Sequence, residues 1–543
     1  MDDSLRPSCL QAALAGLENG HAEVAERICR ELVEKDPGDD QPLLLLGLAL
    51  GVSGKVQQAA PILNRVGALR REFAHPCTDL AHLMATQAKT SLIAPQYRAC
   101  LALTPDDRRL CFGLADFLRE QGDGAAALAA LEPLLPDTGD AELHYQVGLA
   151  LAEAGRFAEA AERFQTAIAD DPAPAAFWAN LGMMLKVEGQ FDAALDAYGQ
   201  ALARAPNDRR IRSNRVVALL QAGRLAEAWQ DQVWQMDQTM LPPETLLPPV
   251  SRLPNLSGRT VLVVHEEGFG DTLQFLRYLP LLAERGIRVS VAVPPPLTRL
   301  LRSVPGVSNV PDADAPVPSH DFHCSFNGLP RVFETTLETI PCDVPYLTPD
   351  RALTQQWAER LPDDGALRVG LCWAGQARPW LPGFSGLDQR RSTQLATLAS
   401  LAVVPGMQFV SLQKGPAREE ARTAGFALLD VMDDVHDFAD TAALVANLDL
   451  VISVDTSVVH LAGALGKPVF LLDRYDNCWR WLSGRGNSPW YPTLRIFRQL
   501  RSGDWGPVIE AVATALAELT ASSSGMESSA RDRCRRPGKR PSS

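Results

Sequence analysis

An aspartate closes an apolar run, LVISVD (450–455), and Thr456 and Ser457 follow it at once, ahead of a helical pattern, VVHLAGAL. Free amides and the dipole at a helix start suit an anion such as a diphosphate, and the Asp455 carboxylate can accept hydrogen bonds from sugar hydroxyls. The same residues also read as a helix cap. His460, one turn in, either orients a phosphate or packs. Cations stand at other strand ends. Lys414 ends QFVSLQ, and Arg390 and Arg391 lie in the loop after WAG, where a guanidinium could neutralise a pyrophosphate leaving group or simply be solvated. A second loop, HEEGFGD (265–271), follows VLVV. Gly268 and Gly270 allow a tight turn, and Thr272 begins the helical stretch that comes after. Leu273 stands where a dinucleotide fingerprint needs its third glycine, which argues against that fingerprint. Asp271 sits in the first helical turn, as a general base for a bound substrate or as an N-cap.

These residues need strands to hold them. Val261–Val264 is a continuous β-branched and apolar run, as a buried parallel strand requires. TLQFLRYLPLLAER (272–285) has helical spacing, and further strands are predicted at 289–294, 307–311 and 321–326. A second alternating set places strands at 368–374, 407–413, 426–431, 450–455 and 468–473, with a closing helix over 504–519. Strand–helix alternation predicts parallel sheets with crossover helices, and ligands at the carboxyl ends of their strands.

The first 236 residues are different. Small residues recur at Gly20, Gly54, Ala88, Gly122, Gly155, Gly189 and Gly223, at intervals of 34 with one of 33. Val147, Gly148, Leu151, Ala160, Phe164, Ala167 and Pro172 reappear 34 residues on as Leu181, Gly182, Leu185, Ala194, Tyr198, Ala201 and Pro206. Gly148 and Ala160 are small enough for two antiparallel helices to approach closely, Gly155 suits a positive-φ turn, and Pro172 stops the second helix. Five prolines between Pro242 and Pro254 mark a linker over 237–257. A fragment of residues 1–240 is accordingly expected to fold alone.

Composition narrows the function. The net charge of −13 argues against a nucleic-acid partner. No run of about 18 apolar residues predicts a transmembrane helix. The start MDDSLRPSCL does not read as a signal peptide, and the ten cysteines are scattered, so a cytoplasmic location with reduced thiols is expected. Asp312-Ala313-Asp314 matches a metal-binding DxD pattern, but lies in a Pro-rich stretch with no strand leading into it, so no metal and no other cofactor is expected. The Ser/Arg-rich tail, 521–543, is expected to be disordered.

The 34-residue pattern resembles the tetratricopeptide repeat, most clearly over 141–207. That implies about seven helix pairs in a superhelix whose groove docks a protein or peptide partner. GDTLQFLRYLPLLAERG, RVGLCWAG, VSLQKG, DFADTAALVANLDLVISVDTSVVHLAGALGKPVFLL and SPWYPTLRIFRQ together resemble glycosyltransferase family 9, the heptosyltransferase-like proteins, in the bacterial form that follows tetratricopeptide repeats. The resemblance implies an α plus α/β chain. An all-helical repeat superhelix precedes a GT-B pair of Rossmann-like domains, acceptor-side at 258–350 and nucleotide-sugar-binding at 351–520. It implies an inverting, metal-independent glycosyltransferase with Asp271 as base and with donor contacts at Asp455, Thr456 and His460. Ser457 stands where the family usually has glycine. The usual lysine after the first strand of the second domain is absent, and Arg390 or Arg391 is the expected substitute. The first domain is only about 90 residues long, shorter than in heptosyltransferases. The layout is also similar to that of O-linked N-acetylglucosamine transferases, which modify protein side chains. The alternative function is a non-catalytic repeat scaffold whose GT-B module is a degenerate nucleotide-sugar sensor.

Overall fold

A computed structural model describes residues 6–18, 21–53, 55–69, 93–94, 97–98, 101, 105–135, 139–231, 241–252, 256–266, 268–376 and 385–534. Gly20, Gly54 and Ala88 of the repeat spacing, the linker segments 237–240 and 253–255, and the tail beyond Cys534 lie outside the described residues.

Among the described residues six helix pairs come first. They are Arg6–Glu18 and Ala22–Lys35 (α1, α2), Asp40–Val52 and Val56–Leu69 (α3, α4), and Arg108–Glu120 and Gly124–Leu131 (α5, α6). Ala141–Glu153 and Phe157–Asp170 (α7, α8), Ala175–Val187 and Phe191–Arg204 (α9, α10), and Arg209–Gln221 and Leu225–Ala228 (α11, α12) follow. Aspartates cap the leading helix of several pairs: the Asp107, Asp140 and Asp208 carboxylates each accept from two amides of the first turn. Gly155 turns the chain at φ +75°, as its spacing implied. A Cβ on Gly148 would lie 2.6 Å from the Phe164 ring, so only glycine lets α7 and α8 close.

Two parallel sheets follow. The first is β3-β2-β1-β4, built from Thr260–Val264 (β1), Arg288–Ala292 (β2), Val307–Asn309 (β3) and Phe322–Ser325 (β4). Its helices include Phe269–Phe275 (α13), Leu279–Ala283 (α14), Pro295–Leu301 (α15) and Leu329–Val332 (α16). After Arg351–Arg360 (α17), the second sheet runs β10-β9-β8-β5-β6-β7. Its strands are Leu367–Cys372 (β5), Met407–Ser411 (β6), Leu428–Leu429 (β7), Leu450–Val454 (β8), Val469–Asp473 (β9) and Leu494–Arg498 (β10). Ser385–Arg391 (α18), Phe438–Ala446 (α19), Ser457–Ala464 (α20) and Gly506–Cys534 (α21) complete it. The edge strand β10 was not anticipated, because LRIFR is short and carries two arginines.

The chain divides into two compact units, residues 1–184 with 379–386, and residues 185–378 with 387–543. The division falls inside the repeats rather than at the prolines, so a fragment ending at residue 240 would cut through the second unit. Packing is the physical reason. Val216, Leu219, Leu220 and Leu225 share one apolar core with Val261 and Val263 of β1 and with Leu276 and Leu279. The Trp229 indole N–H donates to the Thr335 carbonyl at 2.7 Å. On the other face of the second sheet, Val369 and Leu371 pack with Val508, Ile509 and Leu516 of α21. That helix is drawn as far as Cys534. No helix among the described residues is long and apolar enough to cross a membrane.

Candidate functional site

Strand β8 is buried along all five residues, between β5 and β9. It delivers Asp455 to the carboxyl edge of the sheet, half-buried. Thr456 is the N-cap residue of α20, yet its side chain makes no cap bond. Its hydroxyl lies 3.0 Å from the Ser453 hydroxyl and 3.7 Å from the Cys372 thiol, tied back to the strands. Asp455 makes no hydrogen bond or ion pair among the described residues. Its charge acts on His460, Asp473, Arg474 and Cys478, all nearby.

The expected cations are already engaged. Lys414 donates to the carbonyls of Met432, at 2.9 Å, and Val435. Burial lowers its pKa, with Arg418 adding to the effect. Arg390 pairs with Asp476 at 3.2 Å. Arg391 folds over Gly375 and donates to Asp388 at 2.9 Å and to the Gln376 carbonyl at 3.1 Å. Arg474 is a cation on which the Asp455 charge acts. It directly follows β9, is buried, and pairs with Asp476 at 3.1 Å. Asp473, just before it, is sealed from solvent. Burial pushes its carboxyl up to about 7, against the pull of Arg498 at 2.7 Å.

Gln413 holds the floor of this edge. Its side-chain carbonyl accepts from the Trp373 and Ala374 amides at 3.0 and 2.9 Å, and its amide donates to the Ala374 and Lys414 carbonyls. The ends of β5 and β6 are therefore fixed to each other.

In the first sheet's lobe, Gly268 is the N-cap of α13, and one oxygen of Asp271 accepts its amide at 3.0 Å. The other oxygen accepts from the Arg480 guanidinium, which comes from the second lobe. Asp271 is thus a helix cap and half of an ion pair across the lobes. Gly270 packs on His460: a Cβ there would lie 2.8 Å from the imidazole. Thr272 is buried, with its hydroxyl 2.8 Å from His265 Nδ1. The loop's glycines thus serve lobe contact and entry into the helix. Glu267 lies outside the described residues.

His460 is buried, stacks on Trp481 at 5.2 Å and 18°, and sits 3.0 Å from the Tyr491 hydroxyl. Burial lowers its pKa to about 4, so the imidazole is neutral at pH 7 and does not serve as a phosphate cation. An unfolded imidazole takes a proton below about 6.5, whereas the folded one resists until about 4. Its contribution is therefore present above 6.5 and lost as the pH falls to 4. Asp473 has the opposite sign: its raised pKa stabilises below 3.8 and that stability is lost as the pH rises through about 7. The two partly cancel in the native chain. His460→Gln removes the first alone, so its stability deficit relative to wild type should shrink by about 3 kcal/mol between pH 6.5 and 4. Urea denaturation at the two pH values measures this, and a constant deficit would show that the buried imidazole titrates normally.

Residues 145–185 and 187–231 match the family model for the tetratricopeptide repeat. Residues 435–481 match that for glycosyltransferase family 9 (heptosyltransferase). The chain thus matches the tetratricopeptide repeat in its N-terminal half and glycosyltransferase family 9 in one block of its C-terminal half. The block matched to family 9 contains Asp455, Thr456, Ser457, His460, Arg474 and Arg480. Protein FlbA of Caulobacter vibrioides is 27% identical over 540 residues, which cover 92% of this chain and 87% of FlbA. Among solved structures, the family 9 glycosyl transferase of Veillonella parvula is similar at 12% identity and a TM-score of 0.36, over 49% of this chain and 97% of that one. The E. coli ADP-heptose heptosyltransferase II is similar at 13% and 0.36, over 48% and 99%. MamA is similar at 22% and 0.26, over 29% and 87%.

Within the family 9 domain, sequence reasoning passed over Arg474, Arg480 and Gln413. The strand-end rule that selected Asp455 after β8 would have selected Arg474 after β9. Arg480 left no such signal, since its partner Asp271 is 209 residues away.

Proposed function

We propose that the family 9 domain transfers a sugar from a nucleotide-sugar to an acceptor hydroxyl, with inversion and without a metal, and that the repeats recruit the protein or peptide that carries the acceptor. The observation that carries this reading is the Asp455 carboxylate: it stands at the end of β8, ahead of a helix start that the Thr456 side chain leaves uncapped, with its charge acting on Arg474. In this scheme the first-turn amides at Thr456–Val458 and Arg474 take the diphosphate, and Asp455 accepts from the sugar hydroxyls. Asp271 removes the proton of the acceptor hydroxyl as its oxygen bonds to the anomeric carbon. The bond from that carbon to the diphosphate oxygen breaks, and the leaving group departs with the electron pair. A single displacement inverts the anomeric centre. Asp271 must first leave Arg480, because a carboxylate held by a guanidinium is a poor base.

A screen of nucleotide-sugars by thermal shift tests the donor assignment, and no stabilisation by any of them would sink it. For whichever donor binds, Asp455→Ala should weaken the nucleotide-sugar about tenfold while leaving the free nucleotide within about twofold. Equal losses for both ligands would make Asp455 a structural residue. The Asp271–Arg480 pair favours a second reading, a non-catalytic nucleotide-sugar sensor on a repeat scaffold, with the base held out of use.

A further inference from the structure

The segment from Arg474 to Leu482 carries both guanidinia of the proposed chemistry, Arg474, on which the Asp455 charge acts, and Arg480, which donates to Asp271. It ends on a strained backbone: Leu482 has φ +52°, a region that residues other than glycine rarely adopt. Such a conformation persists only where its surroundings over-determine it. The Leu482 carbonyl accepts from Asn477 Nδ2 and from Arg498 Nη2, each at 2.7 Å. Asn477 is itself held from the repeats, since the Gln221 side-chain amide at the end of α11 donates to its side-chain carbonyl. Two residues earlier, the Tyr475 hydroxyl donates to the Glu188 carboxylate, just after α9, at 3.1 Å. Burial lowers the pKa of Lys186 of α9, and the Asp476 charge opposes that shift. Two residues of the segment, 475 and 477, are thus bonded to the repeat helices.

We infer that Gln221 and Glu188 are positioning residues for the nucleotide-sugar site: the last repeats form the outer wall of the 474–482 segment and fix where Arg474 and Arg480 stand. This rests on the reading of the cleft proposed above. Packing alone would be served by apolar contacts. Here a buried amide and a carboxylate end on polar atoms of one short segment, and a bond with a fixed partner sets position in a way that apolar contact does not. A partner docked on the repeats would then bear on the donor site through the same residues.

The experiment uses the full chain, with inorganic pyrophosphate as the probe of the diphosphate site and amide hydrogen exchange as the probe of the segment. Gln221→Leu and Tyr475→Phe should each speed exchange over 475–482, leave 141–170 unchanged, and raise the pyrophosphate Kd about fivefold. Glu188→Leu should do the same. Glu188→Gln, which keeps an acceptor for the Tyr475 hydroxyl, should restore affinity to within about twofold of wild type, a rescue that loss of general packing does not give. Unchanged exchange in these variants, or faster exchange with unchanged affinity, overturns the inference while wild type still binds. Failure of the underlying reading is distinct: the wild-type chain itself then binds neither pyrophosphate nor any nucleotide-sugar.

Discussion

Replacing Asp271 with asparagine should lower turnover by roughly a hundredfold or more and leave donor affinity nearly unchanged. Asparagine keeps the shape and an oxygen for the Gly268 amide, so the helix start survives and only the base is lost. The substitution also dissolves the ion pair with Arg480, which makes the donor measurement informative in its own right. Arg480 keeps its contacts with the Cys478 sulfur and the Trp479 ring, so the donor side should stay in place and affinity should hold. Turnover is followed with the donor found in the nucleotide-sugar screen. If Asp271→Asn turns over as fast as wild type, Asp271 is a cap and ion-pair partner only, and the search for the base moves to His265, Glu266 or Glu267. If neither protein turns over although both bind donor, the sensor reading stands.

Arg277→Met should destabilise the second unit by about 3 to 5 kcal/mol, the largest stability effect expected in the chain. Arg277 is 4% exposed, and its guanidinium donates to the carbonyls of Gln274 at 2.8 Å, Pro341 at 3.0 Å and Trp490 at 2.7 Å, and to the Tyr346 hydroxyl at 3.1 Å. The rings of Tyr346 and Tyr491 lie 4.7 Å from it. Methionine fills much of the volume but leaves carbonyls of both lobes without their donor in a site closed to water. Trp479, Trp481 and Trp490 lie at the same seam, so tryptophan fluorescence in a urea titration reports its unfolding. A midpoint within experimental error of wild type would mean that the aromatic packing alone joins the lobes.

The seam explains why Asp271 meets Arg480. Phe269 packs on Phe438 at 5.2 Å, Arg299 of α15 pairs with Asp437 and Asp440 at α19, and Gly270 leaves room for His460. All of these join the first lobe to the second. The lobes meet where the proposed base and the proposed donor helix begin, so motion at this seam would govern access to both.

The sequence by itself determined the elements. A period of about 34 residues with a small residue at each turn, mostly glycine, fixes helix pairs, because helix length, turn and close approach are all local choices. Continuous β-branched runs ending in Asp455 or before His265 fix parallel strands and the edge where ligands gather. Which charges remain available at that edge was decided by the tertiary structure alone. Lys414, Arg390 and Arg391 have the residue types that a diphosphate needs, yet carbonyls hold Lys414, Asp476 from another segment holds Arg390, and Asp388 of the same helix holds Arg391. Arg474 and Arg480, not anticipated, are paired in the same way, with Asp476 and Asp271. The core that covers the last repeat was decided in the same way. Prolines end helices, but whether a helix pair belongs to the array or to its neighbour depends on which core buries its apolar face, and Val216, Leu219 and Leu220 are buried against the first lobe. Local pattern specifies what each segment becomes; partners distant in sequence decide what each side chain is left to do.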